Sequence, residues 1–120
     1  MTRRSRIALL ALAAVLGVAF AGVAEGATYR GAVGPGKTIT LTKAGGGAVA
    51  TIPRGRHTFV ITDRSTVHNF VLKRGATVVR RTGISATGTF TWRRVRVVPG
   101  RYTFLCTTHA REMRRSFRVA

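Results

Sequence analysis

The residues best suited to chemistry are gathered in Cys106-Thr107-Thr108-His109-Ala110-Arg111-Glu112-Met113. This stretch holds the only cysteine, one of three histidines and one of two methionines, the other being Met1. A thiolate, an imidazole and a thioether are ligand types that suit copper and other soft metals. Three of them within eight residues can come from a single loop. A trigonal site needs a second imidazole from elsewhere, and His68, in Val67-His68-Asn69-Phe70, is the candidate. Two imidazoles and a thiolate with a weak axial thioether suit neither Cu(I) nor Cu(II) perfectly and accept both.

Such ligands must be held by rigid elements. Lys37–Lys43 alternates with Ile39 and Leu41 on one face, as a half-buried strand does. Ala48–Ile52 reads as a short strand. His57–Asp63 is rich in β-branched and aromatic residues and reads as another, followed by Val67–Lys73, an edge strand at Ala76–Arg81 and a loop at Thr82–Gly88. Phe90–Val98 is a strand whose alternation slips, and a bulge at Arg93-Arg94 restores it. Arg101–Cys106 and Ser116–Val119 complete the set. With no amphipathic helical stretch and no repeat, seven or eight short strands predict an all-β antiparallel sandwich or barrel.

Side chains alternate across a strand, so His68 shares the core face of Phe70 and Leu72, and Cys106 that of Tyr102 and Phe104. Two inward ligands at strand ends and a loop bearing His109 and Met113 make a pocket at one pole. Asn69 points the other way. It is either an exposed polar residue or a support outside the ligand set, bonding the backbone of the cysteine loop. His57 follows the turn-like Gly55-Arg56 and is expected at an edge, outside the ligand set.

The chain has 120 residues, enough for one domain. Arg3, Arg4 and Arg6 precede an apolar run from Ile7 to Ala24, with small residues at Ala24, Gly26 and Ala27. Residues 1–27 therefore read as a secretory signal peptide or an uncleaved anchor, 28–36 as a short linker around three glycines and Pro35, and 37–120 as the domain. A body so small buries a thin core, and one cysteine excludes an intramolecular disulfide. An exported, monomeric domain whose lone thiol is metal-bound fits both facts. The formal charge of +18, from 21 basic and 3 acidic residues, excludes neither an acidic redox partner nor an anionic cell-surface component. Nucleic acid is not expected as a partner of an exported domain, and a membrane is expected only if the leader stays attached.

In these motifs the chain resembles the small type 1 (blue) copper proteins of the cupredoxin superfamily, in the plastocyanin, pseudoazurin and amicyanin group. The resemblance rests on His68-Asn69, on Cys106-Thr107-Thr108-His109 followed by Met113, on Thr87-Gly88-Thr89 with Trp92, and on Pro99-Gly100-Arg101-Tyr102-Thr103-Phe104. It covers Pro35 to Val119. It implies an eight-stranded Greek-key β-sandwich and one copper ion held by His68, Cys106 and His109 with Met113 axial. It also implies outer-sphere electron transfer. The chain departs from the family pattern at Thr108, where proline is common, in the three residues between His109 and Met113, and in Arg111, Arg114 and Arg115, where an apolar docking patch is common.

Three functions compete. The first is a one-electron carrier, with electrons passing through His109 and with Arg111, Arg114 and Arg115 selecting an acidic partner. The second is an extracytoplasmic protein that holds or delivers copper without redox turnover. The third, an enzyme with Cys106 as nucleophile and His109 as base, lacks an orienting acid, since Glu112 is adjacent and Asp63 distant in sequence. Cys/His/His is also a donor set that zinc accepts, and the absence of Cys-x-x-Cys-His argues against haem.

Overall fold

The structure, a computed structural model, describes residues 25–120. Nine strands form two sheets: β1 (Glu25–Val33), β2 (Ile39–Lys43), β3 (Thr51–Ile52), β4 (Gly55–Asp63), β5 (Val71–Arg74), β6 (Thr77–Arg81), β7 (Gly88–Val97), β8 (Gly100–Leu105) and β9 (Arg114–Val119). One sheet has the order β2-β1-β4-β7 and the other β3-β9-β8-β5-β6. The inner faces meet in a core that includes Tyr29, Val33, Phe59, Ile61, Phe70, Leu72, Val95, Val97, Tyr102, Phe104 and Phe117. Phe70 stacks on Phe104 at 5.4 Å and takes the edge of Trp92 at 6.0 Å. The ring core thus lies directly beneath the pole where His68 leads into β5 and Cys106 follows β8.

The sandwich is all-β, as its periodicity implies, but its sheets are mixed rather than purely antiparallel. Strand β1 pairs with β4 in parallel, as β3 does with β9. The chain turns back from β1 into β2, crosses to the other sheet as β3, and returns as β4 in the direction of β1. The slip in β7 is a bulge. His57 faces Val95 and Phe59 faces Trp92, so Arg93 and Arg94 oppose one residue, and Arg94 takes φ 54°.

The linker expected at 28–36 is instead largely strand. Residues 25–33 form β1, an interior strand of its sheet, so the sandwich takes in residues ahead of 37. Of the leader expected at 1–27, residues 1–24 lie outside the described residues, while 25–27 open β1. The glycines hide the alternation of Tyr29, Gly31 and Val33. Gly31 occupies a core position where a Cβ would stand 2.5 Å from Ile61 Cδ1 and 2.9 Å from the Phe70 ring. It is glycine because the two sheets close on it.

His57 also departs from expectation. It is not at an edge but buried in β4, between β1 and β7. Its Nε2 lies 2.6 Å from Pro53 O, its ring meets the Tyr29 ring edge-on, and its Nδ1 has no partner among the described residues. It stands at the start of β4, and the ligand cluster gathers beyond the other end of the sandwich.

Candidate metal centre

His68 sits at the end of a pinned loop. The Asp63 carboxylate accepts from Ser65 N at 2.9 Å, and the Ser65 hydroxyl accepts from Val67 N at 3.2 Å. His68 precedes β5 rather than lying on it, because the 68–70 backbone bonds a side chain instead of a neighbouring strand: Phe70 N donates to Thr82 Oγ1 at 2.9 Å. Thr82 N donates back to Phe70 O at 3.0 Å. His68 nonetheless keeps the inward phase of Phe70 and Leu72, and all three are buried.

Cys106 is the first residue beyond β8 and is fully buried. Its N–H donates to Met113 O at 3.0 Å, and its carbonyl accepts from His109 N at 3.3 Å. Met113 N closes a second, four-residue turn onto His109 O at 2.8 Å. The loop is therefore a short 3-10 turn, Thr107–His109, with both ends tied to the strand stub. These bonds bring the Met113 side chain into the buried cluster that contains Cys106.

The donor atoms of His68, Cys106 and His109 all lie within 4.8 Å of one another. The Nδ1 atoms of His68 and His109 stand 3.7 and 3.9 Å from Cys106 Sγ. The two rings cross at 72° with centroids 4.7 Å apart. A trigonal centre with metal–sulfur and metal–nitrogen bonds of about 2.3 and 2.0 Å places sulfur and nitrogen about 3.7 Å apart. The spacing thus fits one ion bound through both Nδ1 atoms and the thiolate. His109 alone of the three is half-exposed.

Burial pushes the Cys106 thiol up, but hydrogen bonds outweigh it and hold it below the ordinary thiol range. They come from the Thr108 hydroxyl, the main chain of Asn69 and Thr108, and His68. A thiol that ionises readily is the form a metal requires. Asp63 moves the other way. Burial raises its carboxyl, and the Ser65 N–H and the charge of His68 offset this only in part.

Asn69 is buried, and its Oδ1 accepts from Thr107 N at 2.9 Å and Thr107 Oγ1 at 3.1 Å. Its own amide reaches Thr82 O at 3.5 Å, the weak limit. One side chain thus joins the His68 segment to the cysteine loop. The Thr108 hydroxyl is a contact that the residue pattern left unassigned. It stands 3.2 Å from Cys106 Sγ, 3.1 Å from His109 Nδ1 and 3.2 Å from Val67 O. The missing proline at that position was its only trace in the sequence.

Arg111 and Arg114 are exposed beside the loop. Arg115 is directed elsewhere: its Nε donates to Ile39 O at 3.2 Å, linking β9 to β2 across the open side of the sandwich. Its phase with the inward Phe117 and Val119 explains the direction. Glu112 is held low by Lys37, with which it pairs at 2.9 Å.

No protein-family model and no curated protein sequence matches the chain. Solved structures do. One reduced rusticyanin superposes with a TM-score of 0.58 at 19% identity, over 81% of each chain. Rusticyanin from Thiobacillus ferrooxidans gives 0.52 at 20%, over 81% of this chain and 79% of its own. Reduced auracyanin from Roseiflexus castenholzii gives 0.52 at 20%, over 81% and 99%. Another of the rusticyanin structures describes that molecule as a copper protein. The fold of this chain is the cupredoxin fold.

Proposed function

We propose that this cupredoxin-fold chain binds one copper ion, which His68, Cys106 and His109 would hold with the Met113 thioether as a weaker donor, and carries single electrons. The observation that supports the reading most is the trio of one thiol and two imidazole nitrogens, 3.7 and 3.9 Å from the sulfur, at the end of a rigid sandwich. When bound, copper supplies the Cu(II)/Cu(I) couple. The residues supply fixed positions. His68 is held by the 63–67 loop, Cys106 by β8 and Met113 O, and both segments by Asn69. Ligands that barely move keep the reorganisation on electron transfer small. Half-exposed His109 offers the ring edge through which electrons reach solvent.

No acid orients His109 as a general base would require, since Glu112 is paired with Lys37. The site therefore supports a carrier over an enzyme. The basic, apolar leader-like segment and the lone thiol support an exported protein. The deciding experiment adds Cu(II) to the apo protein and looks for an intense blue or green colour that ascorbate bleaches and air or ferricyanide restores. Colour with reversible bleaching is expected. A site that passes copper to a chelator without reversible reduction would instead mark a delivery protein.

The role of Met113 as a weak donor has its own test. Met113→Leu should retain copper and colour but raise the reduction potential, because a donor that favours Cu(II) is lost. A potential and spectrum both unchanged would assign Met113 to packing alone. Partner choice follows charge at this pole, where Arg111 and Arg114 favour an acidic redox protein. The rate with a small anionic reductant should fall with salt, exposed charges being screened within about 10 Å at 0.1 M. Arg111→Gln with Arg114→Gln should flatten that slope, and a slope unchanged in the double variant would place the steering charge elsewhere.

A further inference from the structure

A group of arginines lies at the pole opposite the metal centre. There β4 begins, β7 ends and β8 begins, and Arg54, Arg56 and Arg96 line a cleft of about 630 Å³ with Gly55, Val97, Val98 and Pro99. Strand β8 spans six residues from this pole to Cys106, about 20 Å. Arg74 closes the same end, its Nη2 donating to Pro99 O at 3.2 Å. Arg54 Nε donates to Ala120 O at 3.3 Å.

Two cross-strand pairs at this end set like charges directly opposite each other. Arg56 faces Arg96 between β4 and β7, and Arg101 faces Arg118 between β8 and β9. All four are exposed. Such pairs are destabilising, and an anion lying between the guanidiniums relieves them. The one acidic position in the first row is Glu25, the register partner of Arg56 on β1.

Glu25 also fixes what this pole faces. The apolar run Ile7–Ala24, with Arg3, Arg4 and Arg6 before it, joins the fold at Glu25, beside Arg56. A segment of that composition directs the attached pole towards a bilayer, during export or afterwards. We infer that the Arg54/Arg56/Arg96 cleft is a binding site for the phosphates of an anionic lipid surface. The domain settles on the bilayer by this pole and holds the metal centre towards the aqueous side. Guanidiniums suit the task because their planar forks take phosphate oxygens in pairs. The inference does not depend on which metal the other pole holds.

The test is co-sedimentation of the protein, as purified from its cells and without added copper, with large vesicles. One set is pure phosphatidylcholine and the other contains a third phosphatidylglycerol. Binding is expected to the anionic vesicles only, and to weaken steeply between 50 and 300 mM salt. Insertion of the apolar leader would instead give binding to both vesicle types, insensitive to salt. The triple variant Arg54→Gln/Arg56→Gln/Arg96→Gln should lose about 100-fold in affinity. The control Arg93→Gln/Arg111→Gln/Arg114→Gln removes equal charge elsewhere and should lose much less. Circular dichroism checks that both variants are folded. Millimolar inorganic phosphate should not release the protein, whereas release by phosphate would mark a small-anion site. Equal losses in the two variants would reduce the effect to overall charge, and retention by the first would overturn the proposal. So would equal binding to an acidic protein surface of matched charge.

Discussion

Cys106→Ser should abolish the intense colour formed with Cu(II) while leaving a folded domain. The colour of a thiolate-bound copper comes from charge transfer out of sulfur, and this is the chain's only cysteine. Among the described residues, no other sulfur except that of Met113 is buried with it. The substitution is mild for the fold. Serine is slightly smaller, and its hydroxyl meets polar neighbours already present: Thr108 Oγ1 at 3.2 Å from the present sulfur and His68 Nδ1 at 3.7 Å. The backbone ties of residue 106 to Met113 and His109 do not involve the side chain. Stability should therefore change by about 1 kcal/mol or less, read from urea unfolding of the apo forms. Copper retention, read by metal analysis after desalting, should fall with the colour, because a hard hydroxyl replaces the soft donor. A coloured Cys106→Ser protein would sink the assignment of the thiolate.

The same side-chain logic explains which parts of the molecule were legible in the sequence. The inward phase of His68 and Cys106 followed from Phe70, Leu72, Tyr102 and Phe104, and burial alone suffices to enforce it. His68 keeps that phase although it lies before the strand rather than on it, because an extended backbone alternates whether or not it is paired. The bulge at Arg93-Arg94 was legible for the opposite reason. Simple alternation would put Arg94 and Arg96 on the face of Phe90 and Trp92, and one extra residue moves them off it. Strand β1 was not legible, because Gly31 stands where the pattern needs an apolar side chain. The information that it is a core position lies in Ile61 and Phe70, residues far along the chain. His57 was misplaced because Gly55-Arg56 resembles a turn, whereas here Gly55 opens a strand facing Val97. The parallel pairing of β1 with β4 has no local signature at all, since periodicity reports faces and not neighbours. Arg115 was legible in principle: two residues before Phe117 and four before Val119, it shares their face of β9 and reaches across to Ile39 O from the exposed end of that row.

Asn69→Ala should loosen the metal centre without removing any ligand. The side chain is 3% exposed, and its Oδ1 is the acceptor for both the N–H and the hydroxyl of Thr107, at 2.9 and 3.1 Å. Thr107 is the residue after Cys106 and the first of the 3-10 turn that carries His109. Asn69 is the residue after His68. This amide is thus a buried tie between the two chain segments, 38 residues apart, that supply the imidazoles, beside the Thr108 hydroxyl's bond to Val67 O. Removing it leaves Thr107 N without its protein acceptor, and an orphaned partner of this kind costs about 1–3 kcal/mol. Metal affinity should fall by about 10- to 100-fold, as is typical when the groups that orient ligands are lost. The two effects separate experimentally. Unfolding of the apo protein reads the first, and competition with a chelator reads the second. Thr107→Val deletes the hydroxyl but keeps the N–H bond to Asn69, so it should leave affinity nearly unchanged. If Asn69→Ala lowers apo stability but leaves chelator competition as it was, the tie serves the sandwich alone. In that case the ligand geometry is set by β8 and the Met113 turn. If affinity falls more than stability predicts, Asn69 holds the two imidazoles in register for the metal.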